Sequence, residues 1–340
     1  MRHFISMFDW TPAELAELIA LARRFKSGRA TAEVERLAGR ILTMVFFNPS
    51  LRTRTSFEAA MLRYGGHAIT LSVGGDTWQL EHRDGLVMDG PAAEHVREAV
   101  PVLCRYGDLL AVRTFAGLKD AAEDAADPVI RAFGRFATQP VINMESAFEH
   151  PCQGLADWLT VEEKCGGVRG KRFVVTWAPQ VKGLPMAVPN SAVLSLAAAG
   201  AHVTLAHPPG YELGPRVLEQ AGAWCRAGGA AFAVTDDQQA ACRGADAVYV
   251  KSWGSPALYG KPDAQRESFA QHRDWMVTPG HLGPKTILMH CLPVRRNVVI
   301  ADAALDDPRC VVVDQAENRM WVQAAVLSTL VGDAAGAARS

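Results

Sequence analysis

Residues 41–57 read ILTMVFFNPSLRTRTSF, an apolar run that leads into a turn and then into a segment rich in arginine and hydroxyl groups. The run predicts a buried strand, and the residues after Pro49 predict the start of a helix. A helix start offers unpaired backbone N–H groups and the positive end of the helix dipole, to which Arg52 and Arg54 add charge. The stretch therefore predicts a parallel strand, a phosphate-binding turn and a helix, with a basic surface helix cap as the alternative.

Short apolar runs and helical patterns alternate on both sides of this stretch. Before residue 150, strands are predicted at Ile41–Phe47, Ala68–Ser72, Leu109–Arg113 and Val141–Met144, and helices at Phe57–Tyr64, Glu94–Tyr106 and Pro128–Ala137. The first helix follows a capping box of Thr11 and Glu14, with Pro12 at its first position and Gly28 at its end. These patterns predict a parallel α/β half.

A second series of strands and helices begins after Pro151. Its predicted strands are Phe173–Trp177, His202–Ala206, Ala247–Lys251, Thr286–Cys291 and Val311–Asp314, and its predicted helices are Leu155–Glu163, Ser191–Ala199, Pro215–Arg226 and Asn318–Leu330. We therefore expect an α/β protein of two doubly wound parallel-sheet domains, with the active site in the crevice between them. The expected domains cover residues 1–148 and 149–316, and residues 317–340 are expected to form a C-terminal helix that packs back on the first domain.

Charge and composition limit what the chain can bind. Its 35 lysines and arginines nearly balance 36 aspartates and glutamates, so no overall field draws it to nucleic acid or to an anionic membrane. No apolar run approaches the roughly 18 residues of a membrane-spanning helix, and residues 1–10 lack the features of a signal peptide, so we expect a cytoplasmic protein. The seven cysteines are odd in number and form no C-x-x-C pair, which predicts reduced thiols and no metal site.

Two further motifs follow predicted strands. His150-Pro151-Cys152-Gln153 lies at the junction between the halves, and ligands of open α/β sheets bind at the carboxyl ends of strands, so His150 and Gln153 are expected to face the crevice. His290-Cys291-Leu292-Pro293 also follows an apolar run, and carbonyls exposed where a strand breaks before proline can accept from an amide NH₂. A structural or solvent-facing histidine is the alternative for His150.

The order of four motifs resembles the transcarbamylase family, which covers aspartate, ornithine and N-acylornithine carbamoyltransferases. The motifs are S-x-R-T-R at residues 50–54, H-P-C-Q at 150–153, H-C-L-P at 290–293 and E-N-R at 317–319, and the resemblance runs from about Phe4 to Leu330. It implies transfer of the carbamoyl group of carbamoyl phosphate to an amine, without a cofactor or a metal. Family members are trimers at minimum, and Trp78 matches the position from which a neighbouring subunit's loop enters the site.

The resemblance also implies which residues bind carbamoyl phosphate. Its phosphate would be held by Ser50, Leu51, Arg52, Thr53, Arg113 and Arg319, and its carbamoyl group by His150, Gln153 and the carbonyls of Cys291 and Leu292. Attack by a neutral amine builds negative charge on the carbonyl oxygen and expels phosphate, so catalysis needs fixed donors and cations. His150, Thr53, Arg113 and Gln153 are the predicted catalytic residues, and no side-chain nucleophile is required.

The amine substrate is expected to be an N-acyl-L-ornithine. The K-S-W-G segment at residues 251–254 resembles the N-acylornithine branch, where this lysine contacts the substrate carboxylate. Lys251 would repel the α-ammonium of free ornithine and attract a carboxylate. Glu145 and Arg295 match other substrate-contacting positions. The alternatives are a surface lysine past a strand end and, for Arg295 and its neighbour Arg296, a pair of surface charges.

The acyl group is either acetyl or succinyl. Acetyl-specific enzymes that resemble this chain carry a glutamate at the position of Ala93 and a lysine at the position of Val299, and both departures favour succinyl. Gln180 stands where both types usually have histidine, and Lys182 could pair with a succinyl carboxylate or remain solvated. We therefore expect N-succinylornithine to be the substrate in preference to N-acetylornithine. The expected pathway is arginine biosynthesis.

Other interpretations compete with this one. An ordinary ornithine carbamoyltransferase, or a non-enzymatic regulatory protein that binds carbamoyl phosphate, would keep the same fold. A nicotinamide oxidoreductase is disfavoured because no G-x-G-x-x-G follows an early strand. An aspartate-type enzyme is disfavoured by Cys152 and by the H-C-L-P run.

Overall fold

The structure is a computed structural model that describes residues 1–337. The first half of the chain contains the strands β1 (Ile41–Phe46), β2 (His67–Ser72), β3 (Gln79–Glu81), β4 (Ala92–His95), β5 (Leu109–Arg113) and β6 (Val141–Glu145). Its helices are α1 (Pro12–Lys26), α2 (Thr31–Glu35), α3 (Arg52–Arg63), α4 (Val96–Tyr106), α5 (Ala121–Ala126) and α6 (Pro128–Phe136).

The second half contains the strands β7 (Arg172–Trp177), β8 (His202–Ala206), β9 (Phe232–Thr235), β10 (Ala247–Lys251) and β11 (Ile287–Met289). Its helices are α7 (Pro151–Cys165), α8 (Ala187–Ala198), α9 (Pro215–Ala227), α10 (Gln238–Cys242), α11 (Pro262–Gln271), α12 (Asp302–Leu305) and α13 (Val312–Ala337).

Two parallel sheets organise these elements, which confirms the predicted α/β fold class. The strand order is β2-β1-β5-β6 in the first sheet and β11-β10-β7-β8-β9 in the second. The central strands are apolar along their length because helices cover both faces of each sheet. In β1, for example, Met44 packs into the larger hydrophobic core, which extends into the second half, while Val45 packs into a smaller core on the opposite face.

The strand register brings the predicted motifs to corresponding edges of the two sheets. Phe46 at the end of β1 pairs with Arg113 at the end of β5, and Arg113 pairs in turn with Glu145 at the end of β6. In the second sheet, Lys251 at the end of β10 pairs with Trp177 at the end of β7. Functional side chains that are far apart in sequence therefore emerge at the carboxyl ends of the strands.

The first helix has the predicted capping box. The Thr11 hydroxyl accepts from the backbone N–H of Glu14 at 3.3 Å, and the Glu14 carboxylate accepts from the backbone N–H of Thr11 at 2.7 Å. These bonds satisfy donors that have no partner within the helix. The helix ends at Lys26, and Gly28 adopts a φ of +71°, which costs little without a side chain.

The predicted strand at Val311–Asp314 is wrong, because α13 begins at Val312. Only Cys310 makes a strand-like bridge, to Leu288, before the chain turns into the helix. Val311 is buried and Val313 is 75% exposed, so the two valines do not line one face of a strand in a sheet core. A short run of β-branched residues misled the assignment, since the helical pattern becomes clear only further along.

A helix was predicted at Glu94–Tyr106, and the observed helix α4 begins two residues later, at Val96. Residues 92–95 instead form β4, which pairs with β3 outside the two main sheets. His95 caps α4, because its ring nitrogen Nδ1 accepts from the backbone N–H of Arg97 at 3.0 Å. Sequence patterns also missed β9, whose middle residues are exposed.

Helix α13 contacts both halves of the chain. Asn318 accepts from the Lys26 ammonium at 2.8 Å and donates to the Thr160 hydroxyl at 3.0 Å. Further along, the Ser328 hydroxyl donates to the backbone carbonyl of Glu33 at 2.9 Å. The predicted C-terminal segment ran to residue 340, and residues 338–340 lie outside the described residues.

None of the helices within residues 1–337 is both long and apolar enough to cross a lipid bilayer. No group of three or more histidine, cysteine or acidic side chains in this part of the chain could hold a metal ion. The seven cysteines are free thiols.

Candidate functional site

A cavity of about 660 Å³ lies at the carboxyl ends of both sheets, in the crevice between the two halves. It brings together every predicted site residue except Trp78 and Ala93. The lining residues are Pro49, Ser50, Leu51, Arg52, Thr53, Arg113, Phe115, Glu145, His150, Gln153, Gln180, Lys182, Leu184, Pro185, Val188, Lys251, Cys291, Leu292, Pro293, Arg295 and Arg319.

The start of α3 forms one end of the cavity. Leu51 precedes the helix without a side-chain cap, and the backbone N–H of Thr53 donates to the Ser50 hydroxyl at 3.2 Å. Burial lowers the pKa of Arg52, whose Nε has no hydrogen-bond partner within the described chain. Arg54 does not line the cavity, because its guanidinium pairs with Glu58 at 3.0 Å on the solvent side of the helix. The predicted contribution of Arg54 to the turn is therefore wrong.

Two further guanidinium groups meet at the Thr53 hydroxyl. Arg113 donates to Thr53 Oγ1 at 3.3 Å, and Arg319 donates to the same oxygen from α13. Burial, followed by the charge of Arg113, lowers the pKa of Arg319 to about 10, so the group remains charged at neutral pH. The Nε atoms of Arg113 and Arg319 are buried and lack partners among residues 1–337. Cations with spare donors around a helix start suit a phosphate or another polyanion.

Glu145 is the acidic side chain of the lining. A bulge at the end of β6 gives Glu145 a φ of +153°, which an L-residue rarely adopts. Its carboxylate accepts from Arg113 at 2.7 Å and lies 3.7 Å from Nε2 of His150. The strained backbone thus fixes one carboxylate between a guanidinium and the imidazole.

His150 is the residue directly before α7, and it lines the cavity. Its backbone N–H donates to the Ser191 hydroxyl at 2.8 Å, while its ring Nδ1 has no partner within the described part of the chain. Burial, with the charges of Arg319, Arg113 and Lys251, holds the pKa of His150 well below its usual 6.5. The ring is therefore neutral and can donate one N–H to a ligand oxygen.

Gln153 lies one helical turn after His150 and is fixed by a residue that sequence analysis missed. Its Nε2 donates to Asp157 at 2.8 Å, which leaves Oε1 as a free acceptor. Gln315 of α13 donates to the same oxygen of Asp157 at 2.6 Å. Burial raises the pKa of Asp157 to about 7, and the two amide donors oppose that shift. Nothing local in the sequence links Asp157 to Gln315, since 158 residues separate them.

The H-C-L-P motif follows β11 and forms the opposite wall. His290 Nδ1 accepts from the backbone N–H of Leu292 at 2.8 Å, and Leu292 has a φ of +56°. The backbone N–H of His290 donates to Gln315 at 2.9 Å. Burial raises the pKa of the Cys291 thiol, which disfavours a thiolate nucleophile.

The predicted acylornithine contacts lie along the rest of the cavity. Lys251 is 8% exposed at the end of β10, and Arg295 is an exposed cation that follows the H-C-L-P motif. Gln180 Oε1 accepts from the backbone N–H of Val181 at 3.0 Å, so this oxygen is engaged by its own loop. Lys182 is exposed at the rim.

Trp78 and Ala93 do not line this cavity. Trp78 is 59% exposed, and its indole N–H donates to Glu94 at 2.7 Å. Ala93 is exposed on β4, next to Glu94.

Val299 is also absent from the lining. It is completely buried, and its backbone carbonyl accepts from Val277 at 3.1 Å. Val299 therefore contributes no side chain to the cavity.

The chain matches the family model of the aspartate/ornithine carbamoyltransferase carbamoyl-phosphate-binding domain over residues 2–163. It matches the model of the aspartate/ornithine-binding domain of the same family over residues 186–330. The two matches cover the first sheet, every strand of the second sheet except β7, and most of the cavity lining, and residues 164–185 lie between them.

Curated relatives and solved structures agree with these matches. The chain is 40% identical over 337 residues to the N-acetylornithine carbamoyltransferase of Xanthomonas campestris, with 98% of each chain covered. It is 36% identical over 300 residues to the N-succinylornithine carbamoyltransferase of Bacteroides thetaiotaomicron, covering 88% of this chain and 89% of that one. A glutamate-to-alanine mutant of N-acetyl-L-ornithine transcarbamylase, solved with carbamyl phosphate and N-succinyl-L-norvaline, is 40% identical with a TM-score of 0.93 and covers 97% of this chain and 100% of the other. The chain therefore belongs to the aspartate/ornithine carbamoyltransferase family of transferase enzymes, and within it to the N-acylornithine branch.

Proposed function

We propose that the protein transfers the carbamoyl group of carbamoyl phosphate to the side-chain amine of an N-acyl-L-ornithine, giving N-acylcitrulline and phosphate. The observation that carries this proposal is that one cavity is lined by a guanidinium cluster at the start of α3, by a neutral buried histidine and by Lys251. Such a lining suits a ligand set that presents a phosphate group, a carbonyl group and a carboxylate.

The phosphate of carbamoyl phosphate binds at the start of α3. Ser50, Leu51, Arg52 and Thr53 supply the helix start, and Arg113 and Arg319 supply spare guanidinium donors. The carbamoyl oxygen accepts from His150, and the carbamoyl NH₂ donates to Oε1 of Gln153 and to the carbonyls of Cys291 and Leu292.

The reaction needs charge stabilisation more than a side-chain nucleophile. The neutral amine attacks the carbamoyl carbon, a C–N bond forms, and the C–O bond to phosphate breaks. Negative charge builds first on the carbonyl oxygen, beside His150, and then on the leaving phosphate, beside Arg113 and Thr53. The amine loses one proton and the leaving phosphate takes it up, so a neutral amine and the carbamoyl phosphate dianion give a ureido group and HPO₄²⁻.

The preference for an acylated ornithine rests on Lys251 and Glu145. A buried lysine cation repels the α-ammonium of free ornithine and attracts the α-carboxylate. Glu145, which could otherwise attract an ammonium group, is already paired with Arg113 at 2.7 Å. An N-acyl group removes the α-ammonium charge, and with it the repulsion.

We favour succinyl as the acyl group because the cavity is strongly cationic. Its lining has one carboxylate, Glu145, and six cations, which are Arg52, Arg113, Lys182, Lys251, Arg295 and Arg319. A succinyl group adds a negative charge to the substrate and gains more from this field than an acetyl group does. Ala93, at the position of the glutamate of acetyl-specific enzymes, would present no opposing carboxylate. The second candidate is acetyl, which the 40% identity to an N-acetylornithine carbamoyltransferase favours.

The assembly that fits this function is a cytoplasmic homotrimer in arginine biosynthesis. Trp78, and Ala93 beside it, would enter the neighbouring subunit's cavity, since both lie outside their own. Leu86, Val87 and Met88, on the connection between Trp78 and Ala93, are exposed apolar side chains that an intersubunit contact would cover.

The test supplies carbamoyl phosphate with ornithine, N-acetylornithine and N-succinylornithine side by side at equal concentrations. The proposal expects turnover of N-succinylornithine above N-acetylornithine and negligible turnover of ornithine. Preference for N-acetylornithine would keep the branch and reject the charge argument. Preference for ornithine would mean an ordinary ornithine carbamoyltransferase, and carbamoyl phosphate binding without any turnover would mean a regulatory protein.

A Lys251→Met variant separates the carboxylate contact from the rest of the cavity. It should raise the KM for the acylornithine by about tenfold or more, because a buried charge-assisted hydrogen bond is lost. The KM for carbamoyl phosphate should change much less. Lys285→Met is the matched control, since Lys285 is exposed at the opposite end of the second sheet.

A further inference from the structure

A second cavity of about 360 Å³ adjoins the candidate active site. The two cavities share one lining residue, Lys182. The second cavity has no assigned role in the reaction described above. Its other lining residues are Gly117, Leu118, Lys119, Gly183, Gly254, Leu258, Tyr259, Gly260, Lys261, Pro262 and Gln265.

We call the second cavity the lysine cavity, because Lys119, Lys182 and Lys261 line it. Hydrogen bonds across the crevice between the two halves hold its walls in place. The backbone N–H of Gly260 donates to the carbonyl of Leu118 at 2.8 Å, which joins the loop after β5 to the loop before α11. Leu118 has a φ of +53°, and its N–H donates to Asp124 at 2.9 Å. The neighbouring N–H of Gly117 donates to the same carboxylate at 2.8 Å. These backbone hydrogen bonds therefore define the walls of the cavity together with the side chains that line it.

Three lysines give the lysine cavity a positive field. Lys119, Lys182 and Lys261 line it without any aspartate or glutamate, and none of the three forms an ion pair within residues 1–337. Asp124 lies behind the wall, where its two oxygens are engaged by backbone N–H groups and burial raises its pKa. All three lysines are exposed, so water and salt screen much of their mutual repulsion, and a bound anion would offset the rest.

Glycines leave space for a ligand at the boundary between the two cavities. Gly183 follows the shared Lys182, and a Cβ at this position would lie 3.6 Å from both Leu118 and Gln265. A Cβ on Gly254 would lie 3.1 Å from the Gln265 side-chain oxygen. Larger residues at these positions would narrow the region that connects Lys182 with the two other lysines.

We infer that the lysine cavity binds a terminal carboxylate on the acyl chain of the substrate. The acyl chain would leave the α-nitrogen, pass Lys182 and present its carboxylate to Lys119 and Lys261. This inference rests on the proposed N-acylornithine function and names the chemical class of the acyl group, an ω-carboxyacyl chain of succinyl length or longer. An uncharged chain of the same length gains no such interaction.

The test compares N-succinylornithine with N-butyrylornithine, because the two acyl chains have the same length and differ in the terminal charge. Wild-type protein should show a higher kcat/KM for the succinyl substrate. Lys182→Met, and separately a Lys119→Met/Lys261→Met double variant, should each lower the succinyl-to-butyryl ratio by roughly two- to fivefold, as expected for the loss of contacts with exposed lysines. Lys285→Met should leave the ratio at its wild-type value.

A binding measurement removes any ambiguity from chemistry. Calorimetry with carbamoyl phosphate present would compare N-succinylnorvaline with N-butyrylnorvaline, which lack the reacting amine. A reduced succinyl advantage in the Lys119→Met/Lys261→Met variant supports the inference, because these two lysines line the second cavity alone. An unchanged advantage in that variant overturns it, whatever Lys182→Met does, while failure of wild-type protein to carbamoylate any acylornithine overturns the proposed function itself.

Discussion

Two buried carboxyl groups lie beneath the loop that leads to His150. Glu149 accepts from the Ser6 hydroxyl and from the backbone N–H of Met7 at 2.9 Å, so the N-terminal segment holds the residue next to the imidazole. Burial raises the pKa of Glu149 from 4.5 to about 7 and that of Asp127 to about 6. Both groups therefore bind a proton more readily in the folded protein than in the unfolded chain, which links the stability of this loop to pH.

Glu149 should make the protein less stable as pH rises. Because its folded pKa is raised, its contribution is fully present below about pH 4.5 and is lost as pH rises through about 7. Glu149→Gln keeps hydrogen-bonding atoms and cannot ionise, so it should stabilise the protein by about 1–3 kcal/mol at pH 8.5, with little change at pH 5. Urea unfolding at the two pH values measures this, with the exposed Glu17→Gln as control. An equal effect at both pH values would contradict the linkage.

Arg319 should contribute strongly to phosphate binding. It is buried, has a spare Nε donor and shares the Thr53 hydroxyl with Arg113. Arg319→Met should raise the Kd for carbamoyl phosphate by roughly 10–100-fold, since a charge-assisted contact is lost. Arg54→Met is the control from the same motif, because Arg54 pairs with Glu58 on the solvent side. Equal effects of the two substitutions would argue against the assigned phosphate end.

At the scale of elements, the segment from Trp78 to β4 should select the acyl group in the neighbouring subunit. The Trp78 indole N–H donates to Glu94, which follows Ala93 in β4. If Trp78 lies in the neighbouring cavity, Ala93 would therefore lie close to it. Ala93→Glu should shift the kcat/KM ratio from succinyl toward acetyl by about tenfold, because a carboxylate would repel the second acid of succinylornithine. Ala93→Gln adds similar size without charge and should shift the ratio much less. Equal shifts would mean that volume, and not charge, selects the acyl group.

Long apolar strands were predictable as elements, and irregular ones were not. β1 and β5 were found because helices cover both faces of the first sheet and make these strands apolar throughout. β4, with the sequence AAEH, lies outside the main sheets and has no apolar run to reveal it. The valines that begin α13 were assigned to a strand because β-branched residues favour strands when tertiary contacts are unknown.

The candidate site was predictable where its residues follow strands directly. Arg113 and Lys251 end β5 and β10, so strand direction alone brings them to the crevice. Asp157 and Gln315 were missed, because their contact depends on how α7 packs against α13. Lys119, in the lysine cavity, was missed for the same reason, since its loop meets residues of the other half only after folding.

At the scale of the whole molecule, the proposed trimer makes each active site dependent on two chains. Trp78→Ala and Lys251→Met should each have low activity as separate proteins. Mixed subunits should regain activity, because some sites combine an intact Lys251 with an intact Trp78 from the neighbour. Random 1:1 mixing in a cyclic trimer predicts about one quarter of wild-type sites. If the mixtures are no more active than the average of the two variants, then Trp78 and Lys251 from different chains do not form one active site.

The proposed reaction transfers a carbamoyl group from carbamoyl phosphate to the side-chain nitrogen of an acylated ornithine. The most direct measurement follows ¹³C-labelled carbamoyl phosphate and N-succinylornithine by NMR, together with phosphate release. We expect a ureido carbon on the ornithine side-chain nitrogen, formed in equal amount to phosphate and abolished by His150→Ala with Arg113→Met. Phosphate release without a ureido product, or a carbamoyl group on any other atom, would rule out this reaction.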